Sequence, residues 1–141
     1  MIVGQGSTED IDAPSIRSYQ LPTYTVDISN GNINLGSTAQ ITDDLSGFSW
    51  AEARWSAPTA TQNISHIFGE NNLTSGDNLD GNYSDTTVVN QFAERGSWTL
   101  DFMALGDEAG NYDYLSADEL KDLGIQTTIE LTGGDLSLIH I

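Results

Sequence analysis

Carboxylates dominate the side chains of this chain that are able to do chemistry. Of its 141 residues 21 are Asp or Glu and only 4 are Lys or Arg, for a formal charge of −17. Many of the acids fall in short turns beside Gly or Asn: Asp43-Asp44-Leu45-Ser46-Gly47, Asp77-Asn78-Leu79-Asp80-Gly81 and Asp107-Glu108-Ala109-Gly110-Asn111. A calcium ion takes about six to eight hard oxygens from carboxylates, side-chain amides and backbone carbonyls, with tolerant geometry. Magnesium demands stricter geometry and keeps its waters, so it is the second choice. The expected calcium ligands are Asp43, Asp44, Asp107 and Asn111, joined by Asp113 and Asp12. The turn at 77–81 superficially resembles an EF-hand loop, but Gly76 falls at the first ligand position and Thr87 at the twelfth. Any site must therefore be assembled from separate loops. The blander reading is that Asp, Asn and Gly are turn formers and that surface acid aids solubility.

Other chemistries find less support. Phosphate recognition needs basic patches, so nucleic acid is excluded as a partner, and docking to anionic membrane is disfavoured for the same reason. No apolar run is long enough to span a bilayer as a helix, so no membrane insertion is expected. There is no cysteine, hence neither a disulfide nor a thiolate metal site. His66 alternates with Ile64 and Phe68, which marks it as a satisfied core histidine rather than a catalytic base or a zinc ligand. No Gly-x-Ser-x-Gly elbow occurs, and with so many acids a pair of neighbouring carboxylates is weak evidence for a glycosidase. The chain reads as noncatalytic. Aromatic residues offer the competing function, carbohydrate binding. Trp98 heads an alternating strand and belongs to the core, whereas Trp50 and Trp55, five apart on one strand, point to opposite faces. Tyr112 and Tyr114 flank the acidic turn and share a face if that segment is extended, which makes them the candidate glycan-stacking pair.

The elements that must position these residues are strands. Alternation and β-propensity mark residues 15–21 and 24–28 as a first strand broken at Pro22, then 33–42, 48–56, 63–68, 86–92, 98–105 and 126–132. In the 98–105 run Trp98, Leu100, Phe102 and Ala104 are expected on the core face, with Thr99 and Asp101 outward. Ser116-Ala117-Asp118-Glu119 fits a capping box that opens a short helix, ended by Gly124 before the last strand. About seven short strands separated by turn signals indicate an all-β fold, an antiparallel β-sandwich.

The order of motifs carries a family resemblance. Val26-Asp27-Ile28-Ser29-Asn30-Gly31-Asn32 opens it, followed by Thr42-Asp43-Asp44-Leu45-Ser46-Gly47 and Trp55-Ser56-Ala57-Pro58. Ser75-Gly76-Asp77, Asp80-Gly81-Asn82-Tyr83 and Gly96-Ser97-Trp98-Thr99-Leu100 come next, then Asp107-Glu108-Ala109-Gly110-Asn111, Tyr114-Leu115-Ser116-Ala117-Asp118-Glu119-Leu120 and Leu123-Gly124-Ile125. This series resembles the Ig-like β-sandwich repeat domains of large secreted bacterial proteins, adhesins and modular extracellular enzymes among them. The resemblance implies an Ig-like sandwich over residues 12–132, located outside the cell or on a bacterial surface and placed in tandem. Residues 1–11 then read as the end of a preceding repeat and a linker. Residues 133–141 read as the start of a further linker plus a tail, Leu136-Ser137-Leu138-Ile139-His140-Ile141, that resembles a translated sequencing adapter.

Ig-like connectivity makes a geometric claim, because strands that alternate in direction put successive loops at opposite ends. One pole should receive Asp43-Asp44, the loop with Asp77, Asp80 and Asp85, the loop with Asp107, Glu108, Asn111 and Asp113, and the entering segment with Glu9, Asp10 and Asp12. The other should receive residues 29–32, 57–62 and 93–96. Calcium at the acidic pole would tie the domain to what precedes it. The expectation is a calcium-stabilised structural spacer with neighbouring repeats as partners, and the alternative is a carbohydrate-binding accessory module of a secreted hydrolase.

Overall fold

Pro22 divides the first strand between two sheets. β1 (Ser15–Gln20) pairs with β3 (Ile33–Thr42), while β2 (Thr25–Asp27), just beyond the proline, runs parallel to the last strand, β10 (Thr128–Thr132), in the opposite sheet. Proline has no N–H to give a ladder, so the chain is free to leave one sheet there for the other. The computed structural model describes residues 9–133. The preceding-repeat strand and the adapter-like tail with His140 lie outside the described residues.

The remaining elements are β4 (Phe48–Ser56), β5 (Asn63–Phe68), β6 (Leu73–Gly76), β7 (Asp80–Val89), β8 (Gly96–Asp107), β9 (Tyr112–Ser116) and α1 (Ala117–Asp122). One sheet has the order β1-β3-β7-β6 and the other β2-β10-β8-β4-β5, with β9 also on β8. Apart from β2 on β10, the pairings are antiparallel. The first order is the A-B-E-D sheet of an Ig-like sandwich, and β4, β8 and β10 supply its C, F and G.

The core between the sheets holds Trp55, Trp98, Tyr83, Phe68, Leu100, Met103 and Leu105, each essentially out of solvent. Its centre is polar but satisfied. The Tyr19 hydroxyl receives the Trp55 indole N–H at 2.9 Å and meets His66 Nδ1 at 2.5 Å, while His66 Nε2 lies 2.9 Å from the Leu35 carbonyl. A carbonyl only accepts, so Nε2 carries the proton and Nδ1 accepts from tyrosine. Burial lowers the His66 pKa and raises that of Tyr19, so both are neutral. His66 is thus the core histidine its alternation implies.

Four local readings need correction. Phe102 and Ala104 face outward, not inward, because Arg54 pairs with Phe102 and Trp55 with Leu100, leaving Asp101 as the extra residue of a β-bulge. The bulge reverses the alternation, and Met103 and Leu105 take the core positions. Residues 73–76, read as loop, form an exposed edge strand, and β7 begins at Asp80 rather than at residue 86. Asp85 is therefore not in a polar loop. It sits within β7, where its Oδ2 accepts from Ile67 N–H of edge strand β5 at 2.8 Å. Finally, a strand not read from the sequence precedes the helix. β9 pairs with the 102–106 half of β8 and β10 with the 96–99 half, and α1 fills the step between them. The helix opens as its sequence dictates: Ser116 Oγ accepts from Glu119 N–H and Glu119 Oε1 accepts from Ser116 N–H.

Candidate metal centre

Asp43 builds the first loop of the acidic pole. Its Oδ2 accepts from Leu45 N–H at 3.2 Å and Gly47 N–H at 2.8 Å, turning the chain between β3 and β4. Gly47 has φ +102°, and a Cβ there would fall 2.1 Å from the Asn78 amide, so only glycine closes this loop. The loop is pinned from two sides. Asp43 N–H reaches the Leu79 carbonyl at 2.9 Å, and Glu108 N–H reaches the Gly47 carbonyl at 2.8 Å.

The second loop folds around Asp107. Its Oδ1 accepts from Ala109 and Asn111 N–H groups, and its Oδ2 from Asn111 Nδ2 at 3.0 Å. Ala109 N–H in turn donates to Ser46 Oγ at 3.2 Å, joining the two loops. The entering chain completes the pole through Asp10. Its Oδ2 accepts from Ser46 N–H at 2.8 Å and Ser46 Oγ–H at 2.5 Å, and its backbone carbonyl accepts from Asn111 Nδ2 at 2.8 Å.

Three carboxylates meet there. Asp10, Asp43 and Asp44 each present an oxygen within 4.8 Å of the other two. Asp43 is only 8 % exposed, and its second oxygen, Oδ1, is buried without a hydrogen-bond partner. A buried acceptor left unpaired costs about 1–3 kcal/mol, and more when charged. The electrostatics divide accordingly. Burial first, then a side-chain hydrogen bond with Asp10 and the Asp10 charge, push the Asp43 carboxyl above its ordinary range, and the same causes raise Asp44. Asp10 goes the other way, held well below the usual range by the Ser46 hydroxyl and amide. The arrangement crowds three carboxylates around a buried oxygen of Asp43, a crowding that a proton held between Asp43 and Asp10 relieves, and its oxygens are of the hard kind that a cation such as calcium takes.

The residues expected as ligands are distributed around this point. Asp43 and Asp44 are in the cluster. Asp12 and Asp113 line the adjoining cleft together with Asp43, Asp44 and Arg17, whose Nε donates to Thr42 Oγ1 at 3.0 Å. Asp107 and Asn111 sit one step away, their polar atoms organising the second loop and holding the Asp10 backbone. Asp10 itself was not among the expected ligands. It and Asp12 are equivalent in the sequence, each an acid in an extended approach to Pro14, and only the docking of that approach against Ser46 separates them. Tyr112 and Tyr114 lie elsewhere, on the outer face of β9, 71 % and 55 % exposed.

At the opposite pole the loops close without crowding. Glu94 Oε1 accepts from the Thr59 hydroxyl at 2.6 Å and its amide at 3.3 Å, Glu94 N–H reaches Gln62 Oε1, and Gln91 N–H reaches Asn32 Oδ1. Loop polarity thus follows the Ig-like expectation, with Asp85 as the exception. A family model described as a domain of unknown function, DUF7035, matches residues 9–138 of the chain. No curated protein matches it.

Proposed function

The chain belongs to the DUF7035 family, a domain of unknown function, and we propose that it is a noncatalytic, extracellular structural module, a calcium-tightened spacer. The observation that carries this reading is the buried, unpartnered Asp43 Oδ1 facing the carboxylates of Asp10 and Asp44. One of those carboxylates belongs to the entering segment and two to the domain proper, so an ion bound among them fastens the entry to the body. Asp12 and Asp113, lining the same cleft, would complete the oxygen set directly or through water.

The path of the chain supports a spacer. The described chain enters at the acidic pole through Asp10 and leaves beyond β10, where Leu131 pairs with Gly96 at the opposite pole. Entry and exit at opposite ends suit a module that sits in line with its neighbours, the partners of the proposal, and transmits tension along its long axis. The noncatalytic part is supported by His66, both of whose ring nitrogens are engaged within the core. The extracellular part is tied to the ion: a site with the affinity of extracellular modules, about 10⁻⁴–10⁻³ M, would fill only where calcium is millimolar.

Thermal melting and limited proteolysis of the chain in calcium and in chelator test the proposal. Calcium should raise the melting temperature and protect the backbone around Asp10 from cleavage, with magnesium less effective. Identical melting curves and identical cleavage in the two conditions would overturn it.

A further inference from the structure

The outer face of the β5-β4-β8-β9 sheet carries a feature that a spacer does not require. Trp50 on β4, Gly106 on β8 and Tyr112 on β9 stand in one cross-strand row, and Glu52, Ala104 and Tyr114 in the next. A Cβ on Gly106 would lie 2.0 Å from Trp50 Nε1 and 2.5 Å from Cε2. The indole therefore lies across the β8 backbone, with glycine as its bed, and remains 42 % exposed. In the following row Phe102 is turned outward by the bulge at Asp101, and the Tyr114 ring stacks on it at 4.9 Å and 24°. The Arg54 guanidinium sits 5.3 Å from the Phe102 ring centre. Three rings, of Trp50, Tyr112 and Tyr114, are thus open to solvent on one surface.

The charge of this face differs from that of the rest of the molecule. The one acid between the rings, Glu52, is neutralised: its Oε2 takes Arg54 Nη2 at 2.9 Å, Arg54 Nε at 3.1 Å and Ser65 Oγ–H at 2.9 Å. A basic peptide is drawn to free carboxylates, and those are at the pole. A second copy of this chain brings another −17 of charge, which opposes pairing. A neutral ligand with apolar C–H faces and peripheral hydroxyls suits open rings beside an ion pair that still offers hydrogen-bonding capacity. Adjacent strands are about 4.8 Å apart and alternate residues about 7 Å apart. The rings thus span several ångströms in both directions, enough for a short chain of linked pyranose rings. We propose that this face is a binding platform for a neutral oligosaccharide, with Trp50 and Tyr114 as its stacking rings, Tyr112 at its edge, and the Glu52–Arg54 pair as its hydrogen-bonding group.

Trp50 makes the test direct. Trp55 and Trp98 are 0 % and 1 % exposed, so a change in indole fluorescence on adding a saccharide reports Trp50. The probes are soluble neutral hexasaccharides of β-1,4-glucan, β-1,3-glucan, β-1,4-mannan, β-1,4-xylan and chitin, titrated by fluorescence and calorimetry in calcium and in chelator. At least one should shift the emission and release heat in both conditions. Trp50→Ala and Tyr114→Ala should each weaken binding at least tenfold while the chain stays folded and its calcium response is unchanged. Gly106→Val, which displaces the indole without removing it, should weaken binding comparably. Silence across the panel at millimolar saccharide, or full binding retained in Trp50→Ala, would overturn the proposal. So would a concentration-dependent dimer in sedimentation that Trp50→Ala abolishes, since the face would then belong to a second copy. A loss of calcium response with saccharide binding intact would sink the spacer reading alone.

Discussion

At the pole where β10 ends, Glu94 spends its carboxylate on Thr59, and Gln62 and Asn32 accept the backbone N–H groups of neighbouring loops. At the pole where the chain enters, Asp43 and Asp107 likewise spend oxygens on turn amides, but Asp43 Oδ1 is left over, with Asp10 and Asp44 beside it. The two poles have comparable loops and opposite accounts of their polar atoms. One is satisfied by the chain, while the other accumulates charge of one sign around a buried acceptor. The difference teaches that acidity alone does not mark the site. Asp107 is as buried as Asp43 yet both its oxygens are engaged, so among the described residues it is Asp43 on which the proposed cation site rests.

The comparison can be broken in several ways. The largest expected effect is calcium on the intact chain. At a free concentration of about 100 times Kd, a ligand specific for the folded state adds about 2.7 kcal/mol. For a domain of this size that is an increase in melting temperature of about 10 °C. A shift that disappears in Glu94→Ala would show that the two poles are not independent.

Acid should act next, through the core that both poles hang from, while the raised carboxyls of Asp43 and Asp44 take up protons at the entry pole alone and oppose the loss. The folded pKa of His66 lies below its ordinary value of 6.5. The unfolded chain therefore binds the proton first as pH falls below about 6.5, and stability that is complete above that pH is lost toward the folded value. One such group contributes a slope of at most about 1.4 kcal/mol per pH unit. The groups facing it are Tyr19, which is neutral, and Asp85, whose charge moderates the shift. Melting of wild type and His66→Gln between pH 7 and 5 checks this: the substituted chain should lose that component of the slope, and an unchanged slope would refute it.

Glu94→Ala removes the acceptor for Thr59 and should cost about 1 kcal/mol. The cost should be the same in calcium and in chelator when measured by denaturant unfolding. The smallest effect should have the opposite sign. In Asp43→Asn one amide oxygen can keep the turn bonds from Leu45 and Gly47 while the amide nitrogen replaces Oδ1 and donates toward Asp10. Stability in chelator should therefore rise, by about 0.5–1 kcal/mol. A fall would mean that the turn, not the charge crowding, dominates at this residue.

Much of this was legible in the sequence where local chemistry decides. The break at Pro22 and the capping box of Ser116 and Glu119 follow from residues near one another in the chain, while the pole of each turn follows from the alternation of strand directions, with Asp85 misplaced. What was hidden depends on partners. The bulge at Asp101 comes from the register of β8 against β4, and nothing within the alternating run from Trp98 to Ala104 announces it. β7 starts in Asp80-Gly81-Asn82-Tyr83, a turn-like composition that conceals the inward placement of Gly81 and Tyr83. Asp10 is distinguished from Asp12 only by docking on Ser46, across 36 positions of sequence.

The central proposal is that Asp43 Oδ1 is a cation ligand. Isothermal titration of calcium into the wild-type chain and into Asp43→Asn tests it most directly. A single site of about 10⁻⁴–10⁻³ M in the wild type, absent from an Asp43→Asn protein that melts no lower in chelator, is the predicted result. No calcium binding by the wild type, or equal binding by the two proteins, would contradict it.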